Sequence, residues 1–218
     1  MKYADFQPDP RVQGPVELLN RKDIAERICA AFDEVYSWAS KEKYTDLPVV
    51  HSVKTIQLDR RIVTDEEYEF CYREREKQLQ NQIYITEGEP LDVLHKNTVT
   101  AAGARRYDAV IQRYETQKEN PKYPMELHVV KVGDIAFATN QFELYMDYQH
   151  RIQARSPFVQ TFIVQLAAQP GKNAGSYLCT ERGAWGMGYS ATVFCNRVSP
   201  AGGQQLVEET LAELKRIY

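Results

Sequence analysis

The feature that most constrains the fold is a pair of β-forming runs joined by a segment of helical length. The first run, 129–138, reads Val-Val-Lys-Val-Gly-Asp-Ile-Ala-Phe-Ala, with Gly133-Asp134 at its centre. Gly-Asp between two β-forming segments is typical of the tight turn of a β-hairpin. The second run, 158–167, follows after enough residues for a crossover helix. We therefore predict an α/β fold with mixed α+β character, in which a mixed β-sheet contains both runs and helices flank it.

Apolar residues at helical spacing predict helices before the hairpin. Asn20 is suited to cap the first of them. Its apolar residues lie on one face that should be packed: Ile24, Ile28, Phe32, Val35 and Ala39. After a β-rich segment, 47–63, the pattern Thr64-Asp-Glu-Glu67 is a capping box, and it predicts a second helix that extends to about Ile83.

Three further helices are predicted downstream. They cover about 102–118, 144–154 and the residues from Gln204 onward. The segment 86–99 contains a glycine and a proline and is predicted to be a loop. The segment 169–176, with one proline and two glycines, is predicted to be a flexible surface loop.

Length and composition predict one globular domain. The 218 residues are 43% hydrophobic and 26% charged, values close to those of globular proteins. No internal repeat or linker divides the chain, so we expect a single domain over 1–218 with an extended entry segment at 1–16. The formal net charge of −3 gives no general attraction to nucleic acid or to anionic membranes. The sequence contains no transmembrane segment and opens with no signal peptide, so we expect a soluble chain, and the compartment stays unknown.

Two oxygen-bearing side chains are the candidate site residues. Glu143 follows the hairpin at a predicted strand-to-helix junction, where the positive end of the helix favours an ionised carboxylate. Tyr189 follows Gly183, Gly186 and Gly188, which allow the backbone to approach a ligand or a neighbouring strand closely. From position alone, Glu143 is also interpretable as an ordinary helix-terminal charge, and Tyr189 as a core aromatic.

Two motifs around these residues match a known family. Phe142-Glu143, after Ala-Thr-Asn, looks like a Pro-Gly-Glu turn at the end of a buried strand, and 177–180 reads Tyr-Leu-Cys-Thr, followed by eight residues and Tyr189. Together they resemble the distal half of the catalytic domain of the neutral, non-lysosomal ceramidases, a family of zinc-dependent amidases. The resemblance extends more weakly over most of the chain. It departs from the family pattern where Gln141-Phe142 replaces Pro-Gly and where Ser190 replaces a Glu.

The resemblance implies a function for a larger assembly. It implies that Glu143 and Tyr189 are zinc ligands in a hydrolase that cleaves lipid amides of sphingolipid metabolism. The family's two histidine ligands and the nucleophilic Ser of its Gly-Asp-x-Ser-Pro motif are absent from this sequence. The chain therefore resembles a family member that begins near its middle, and it carries no catalytic residue of its own.

Zinc binding and activity are accordingly expected only together with the missing N-terminal half. The isolated chain should neither hold stoichiometric zinc nor hydrolyse an N-acyl amide, because catalytic zinc normally takes three protein ligands. Apolar surface left by the missing half should make the chain associate with that half or with itself. The alternative is a non-catalytic binding or structural α/β domain derived from the same family.

The remaining polar residues carry no predicted site. The histidines show no H-x-x-x-H spacing and are predicted to have structural or surface roles: His51, His95, His128 and His150. The basic pair Arg105-Arg106 is too short for a nucleic-acid footprint and is interpreted as part of a solvated helix face.

Overall fold

The structure is a computed structural model that describes residues 16–80, 84–168 and 176–218. The chain divides into two compact units, Met1–Leu47 and Pro48–Tyr218. In the first unit, helix α1 covers Val16–Ala39, so the predicted helix is present but begins before Asn20, which lies inside it and does not cap it. The predicted packing of its apolar face is wrong, because Ile24, Ile28, Phe32 and Val35 are exposed. The predicted entry segment lies outside the described residues up to position 15, as does most of the predicted loop 169–176. One domain over the whole chain stays a prediction.

The second unit contains five helices and six strands in its described part. In chain order they are β1 (Val49–Asp59), α2 (Asp65–Gln80), α3 (Pro90–Thr116), β2 (Lys122–Val132), β3 (Ile135–Thr139), β4 (Glu143–Leu144), α4 (Met146–Gln153), β5 (Gln160–Val164), β6 (Tyr177–Leu178), α5 (Glu181–Trp185) and α6 (Pro200–Ile217).

The predicted mixed sheet is confirmed. Its strand order is β1-β2-β3-β5, with antiparallel pairing except between β3 and β5, which are parallel. The β2–β3 hairpin pairs Val129 with Ala138 and turns through Gly133, whose φ of 61° is a conformation that glycine adopts without steric cost. Helix α4 lies between the parallel strands in the chain, as a parallel connection requires.

The main core lies on one face of this sheet. Side chains alternate along the strands, so that residues such as Leu58, Leu127 and Val129 are buried while their neighbours face outward. The buried strand residues pack against α4 and α6, chiefly through Tyr148 and Leu211. A smaller core cluster joins α2 and α3 to the segment before α6: Val63, Cys71, Val110, Ile111 and Val193.

The predicted loop at 86–99 is wrong, because α3 begins at Pro90 and continues to Thr116. Proline at the first helical position loses no intrahelical hydrogen bond, and its fixed φ suits the helix. The side chain of Asn97 also exchanges two hydrogen bonds with the backbone of Ile85, at 2.9 and 2.8 Å. These bonds tie the helix to the chain that precedes it.

The last helix begins earlier than predicted. Helix α6 begins at Pro200, and the Ser199 side chain caps it by accepting a hydrogen bond from the Gly202 amide at 3.0 Å. Both glycines of the Gly202-Gly203 pair therefore lie inside the helix. A side chain at Gly202 would meet the Asp59 carbonyl oxygen at 2.6 Å, so this pair allows a close approach to the end of β1.

The capping box at the start of α2 is confirmed and gives a first testable prediction. The Glu67 amide donates to Thr64 Oγ1 at 3.2 Å, and the Thr64 amide donates to Glu67 Oε2 at 3.1 Å. We expect Thr64→Ala to lower the free energy of unfolding by about 1 kcal/mol, since it removes an N-cap acceptor. Urea denaturation measures this change. Thr98→Ala, at an exposed position within α3, is the control and should shift stability by less than about 0.5 kcal/mol; equal shifts would contradict the prediction.

Candidate functional site

The structure places Glu143 in a strand and not in a helix. Its amide donates to the Ser176 carbonyl at 3.0 Å, and the Tyr145 amide donates to the Leu178 carbonyl at 3.2 Å, which builds the short parallel pair β4–β6. Helix α4 begins only at Met146. The predicted strand-to-helix junction is therefore present but begins its helix two residues later than expected, because backbone pairing with a distant segment holds Glu143 and Leu144 in an extended conformation.

Tyr177 is the partner of Glu143. The two residues are opposite each other in the β4–β6 register. The pKa of the Tyr177 phenol is raised above its ordinary value, first by a hydrogen bond to the Glu143 carboxylate and then by its negative charge. The phenol therefore stays protonated near neutral pH and holds the carboxylate as a hydrogen-bond donor.

Tyr189 lies against the same tyrosine. It begins a 3₁₀ turn, Tyr189–Ala191, and its ring centroid is 6.1 Å from that of Tyr177 in an edge-on arrangement. The side chain is 72% exposed, so the interpretation of Tyr189 as a core aromatic is wrong. Tyr177 thus contacts both candidate residues, Glu143 and Tyr189, and the role of these two as metal ligands stays a prediction.

The electrostatics around Tyr189 favour its neutral form. Its pKa is raised, first by a hydrogen bond with the Cys195 thiol, and further by the Glu143 charge, while Arg106 opposes the shift. A phenol must lose its proton to bind zinc as phenolate, so this environment alone does not prepare Tyr189 as a ligand.

The side chains that the structure describes do not by themselves fit a zinc site. A catalytic zinc takes three protein ligands, usually including nitrogen or sulfur donors. Within residues 16–80, 84–168 and 176–218, no three His, Cys, Asp or Glu side chains gather in a way that could hold a metal ion. Glu143 and Tyr189 supply two oxygen donors, one fewer than the protein ligands that a catalytic zinc normally takes.

The glycines before Tyr189 serve the local fold in different ways. A Cβ at Gly183 would lie 2.5 Å from the Tyr145 ring, so Gly183 makes room for that ring. Gly188 has open space around the position of its missing Cβ. Thr180, the last residue of the Tyr-x-x-Thr motif, caps α5 by accepting from the Gly183 amide at 3.2 Å. The motif is therefore accounted for by helix capping in this structure.

Two large apolar side chains shortly before Tyr189 in the chain are exposed. Trp185, the last residue of α5, is 87% exposed, and Met187 is 83% exposed. Met187 has a φ of 49°, a left-handed conformation that is uncommon for a residue with a side chain. The segment that leads to Tyr189 therefore presents large apolar groups to solvent.

A histidine pair was missed by sequence reasoning. His51 Nε2 lies 3.0 Å from His128 Nδ1, and His128 Nε2 lies 2.8 Å from Glu126 Oε1. The two rings stack on the outer face of the sheet, on adjacent strands β1 and β2. Each histidine occupies an outward position in its strand, which the alternation of the sequence indicates. Only the strand register, which pairs His128 with Val53, shows that they meet.

Comparison with known proteins adds one similar structure. No family model matches the chain, and no curated protein matches it. A solved structure of neutral ceramidase from Pseudomonas aeruginosa is similar to 96% of this chain, with 15% sequence identity and a TM-score of 0.48. The chain spans about a third of that protein, 35% of its length. A likeness of this degree does not establish the family.

Within the described ranges, no helix combines the length and the apolar character needed to cross a membrane.

Proposed function

We propose that this chain forms the distal part of a ceramidase-like zinc-dependent amide hydrolase. In this proposal Glu143 and Tyr189 supply two oxygen ligands, and another chain supplies the histidine ligands and the nucleophile. The supporting observation is that Tyr177 lies opposite Glu143 in the β4–β6 register and also packs against Tyr189. This brings together two residues that are 46 positions apart in the chain, which the sequence motifs pair as ligands.

The surface properties support a partner and an apolar substrate. Tyr189 is exposed, so a second chain has access to it. The outer face of the sheet exposes apolar side chains, including Val53 and Phe162, and contiguous apolar surface is typical of interaction sites. Trp185 and Met187 beside Tyr189 would suit the hydrocarbon part of a lipid amide.

Zinc content and amide hydrolysis test this proposal. The purified chain should hold less than stoichiometric zinc and show no hydrolysis of an N-acyl amide, since two oxygen ligands are too few. Co-expression with a chain that carries the Gly-Asp-x-Ser-Pro motif and two candidate histidine ligands, encoded directly upstream, should give a complex with both zinc and activity. Elemental analysis and an amidase assay on both preparations measure this.

Matched variants identify the ligands in the complex. Glu143→Gln and Tyr189→Phe should each lower zinc affinity by about tenfold or more, because each substitution removes one oxygen ligand. Glu181→Gln and Tyr72→Phe, at exposed positions, should leave zinc content unchanged. Stoichiometric zinc and turnover in the isolated monomeric chain would refute the proposal. So would a zinc-loaded complex that is indifferent to both ligand variants.

A second candidate is a non-catalytic binding domain of the same ancestry. It is favoured by the lack of a three-residue cluster of metal-ligating side chains in the described part of the chain. If the upstream chain does not exist and the purified protein is inactive under every metal condition, this candidate replaces the first.

A further inference from the structure

A cavity lined by arginines lies between the end of β1, helix α3 and the segment before α6, and we call it the arginine pocket. Its volume is about 450 Å³, and a smaller cavity of about 120 Å³ shares several of its residues. Five arginines line the two cavities: Arg60, Arg61, Arg106, Arg113 and Arg197. They come from the end of β1, from α3 and from the segment before α6.

The positive charge in this pocket is poorly compensated. Arg61 forms a bidentate ion pair with Glu67, at 3.1 and 2.6 Å. Among the residues that line the two cavities there is no Asp or Glu. Within the described ranges, no carboxylate forms an ion pair with any of the four arginines of the larger cavity, Arg60, Arg106, Arg113 and Arg197. Four guanidinium groups therefore share the pocket without a carboxylate of their own, in a protein whose net charge is −3.

Arg113 lies deepest in the cluster. Its terminal nitrogens donate to the Asn196 and Val193 carbonyls at 2.9 and 2.5 Å, while its Nε is buried without a hydrogen-bond partner. The pKa of Arg113 is lowered to about 10, first by burial and then by the charges of Arg61 and Arg197. Mutual repulsion between these cations costs free energy, and a bound anion relieves it.

Contacts within the protein restrain two of the other arginines, Arg106 and Arg60. The guanidinium of Arg106 lies 4.1 Å from the centroid of the Phe194 ring. Arg60 donates through Nε to the Lys122 carbonyl at 2.8 Å, and its guanidinium lies over the ring of Tyr123. The bond to Lys122 does not use the two terminal nitrogens of Arg60. Such contacts restrict the side chains and lower the entropy that binding must overcome.

We propose that the arginine pocket binds a phosphate monoester group, with Arg106, Arg197 and Arg60 as its principal donors. The planar guanidinium forms paired hydrogen bonds with phosphate oxygens, and several unpaired guanidiniums match a dianion better than a monoanion. The larger cavity falls within the range of small-molecule pockets, about 300 to 1,000 Å³, so it has room for a phosphate and part of the group that carries it. This inference does not depend on the proposed amide hydrolase.

Calorimetry with phenyl phosphate tests the pocket. We expect the chain to bind phenyl phosphate with a dissociation constant below about 1 mM at low ionic strength and to bind benzoate at least about tenfold more weakly. Arg106→Gln and Arg197→Gln should each weaken phenyl phosphate binding by about tenfold, because each removes one charged hydrogen-bond donor to the phosphate. Arg197→Lys keeps the positive charge but loses the planar guanidinium. Its affinity for phenyl phosphate should lie between those of the wild type and Arg197→Gln. Arg113 is left intact, because it holds the backbone of 193–196.

The control variant is Arg105→Gln, which lies beside Arg106 on α3 and lines neither cavity. It should bind phenyl phosphate within about twofold of the wild type, which separates the pocket from the general charge of the helix. Circular dichroism and thermal unfolding confirm that each variant is folded. No binding of phenyl phosphate at about 10 mM, equal affinity for benzoate, or equal weakening by Arg105→Gln would overturn the proposal.

Two sources of the phosphate are distinguished by vesicles. Phosphatidylcholine vesicles with and without phosphatidate are added to the wild type and to Arg197→Gln. Binding to the phosphatidate vesicles that phenyl phosphate competes away, and that Arg197→Gln lacks, identifies a lipid headgroup. Binding of phenyl phosphate without vesicle binding identifies a soluble phosphorylated molecule. Vesicle binding that Arg197→Gln retains in full, together with no binding of phenyl phosphate, would overturn the proposal.

Discussion

The Phe142→Ala variant is expected to lose about 4 kcal/mol of unfolding free energy, within the range known for truncation of a buried phenylalanine. Phe142 is fully buried in the main core, and its ring lies 5.9 Å from that of Tyr123. Its amide is held by the Asn140 side chain at 3.0 Å, so the backbone has little freedom to close the cavity. Urea denaturation should show a lower midpoint with an unchanged slope.

Phe162→Ala is the matched control for this variant. Phe162 lies on the outer face of the sheet, is 43% exposed and stacks on Phe137 with ring centroids 5.0 Å apart. Its truncation should cost no more than about 1.5 kcal/mol, since it loses less buried area and leaves no enclosed cavity. A Phe142→Ala variant as stable as Phe162→Ala would show that the β3–β4 connection does not pack as described.

A second large effect is expected from Gly202→Ala in α6. The added Cβ would lie 2.5 Å from Val198 Cγ1 and 2.6 Å from the carbonyl oxygen of Asp59. The Asp59 carbonyl also accepts a hydrogen bond from the Ser199 amide at 3.0 Å, so it cannot retreat without breaking the helix start. Overpacking costs about 1 to 3 kcal/mol or more, and we expect a net loss of about 2 kcal/mol after the gain in helix propensity.

Gly188→Ala separates this clash from the general effect of replacing glycine. Gly188 has a φ of −70°, and no atom lies within 4 Å of the position of its missing Cβ. Alanine there should leave stability unchanged or raise it by about 0.5 kcal/mol, through the reduced entropy of the unfolded chain. Thermal unfolding of both variants measures the difference. If Gly202→Ala is as stable as Gly188→Ala, α6 does not approach β1 as closely as the structure has it.

The strands and most helices were predictable because their signals are local. The Gly133-Asp134 turn and the alternation around it predicted the β2–β3 hairpin, and the capping box at Thr64 predicted the start of α2. The errors occurred where a local signal had two meanings. A proline can mark the end of a helix or occupy its first position, and Pro90 begins α3.

The candidate site, like the fold, was predictable only in part. Sequence motifs singled out Glu143 and Tyr189, but not the strand that holds Glu143, because β4 exists only through its pairing with β6, more than thirty residues away. The same limit applies to His51 and His128, which meet through the register of β1 and β2. Arg106, interpreted from sequence as part of a solvated helix face, lines a pocket with arginines from other elements.

Local patterns in the sequence were enough to predict the α/β class, the hairpin and the alternation that buries one face of the sheet. These follow from interactions between residues close in the chain, and from the period of two that every strand imposes on its side chains. The tertiary structure was needed to show that Tyr177 lies opposite Glu143, that Gly202 packs against the end of β1 and that five arginines line two adjoining cavities. Such contacts join residues far apart in sequence, and their geometry depends on strand register and helix packing, which no local pattern encodes.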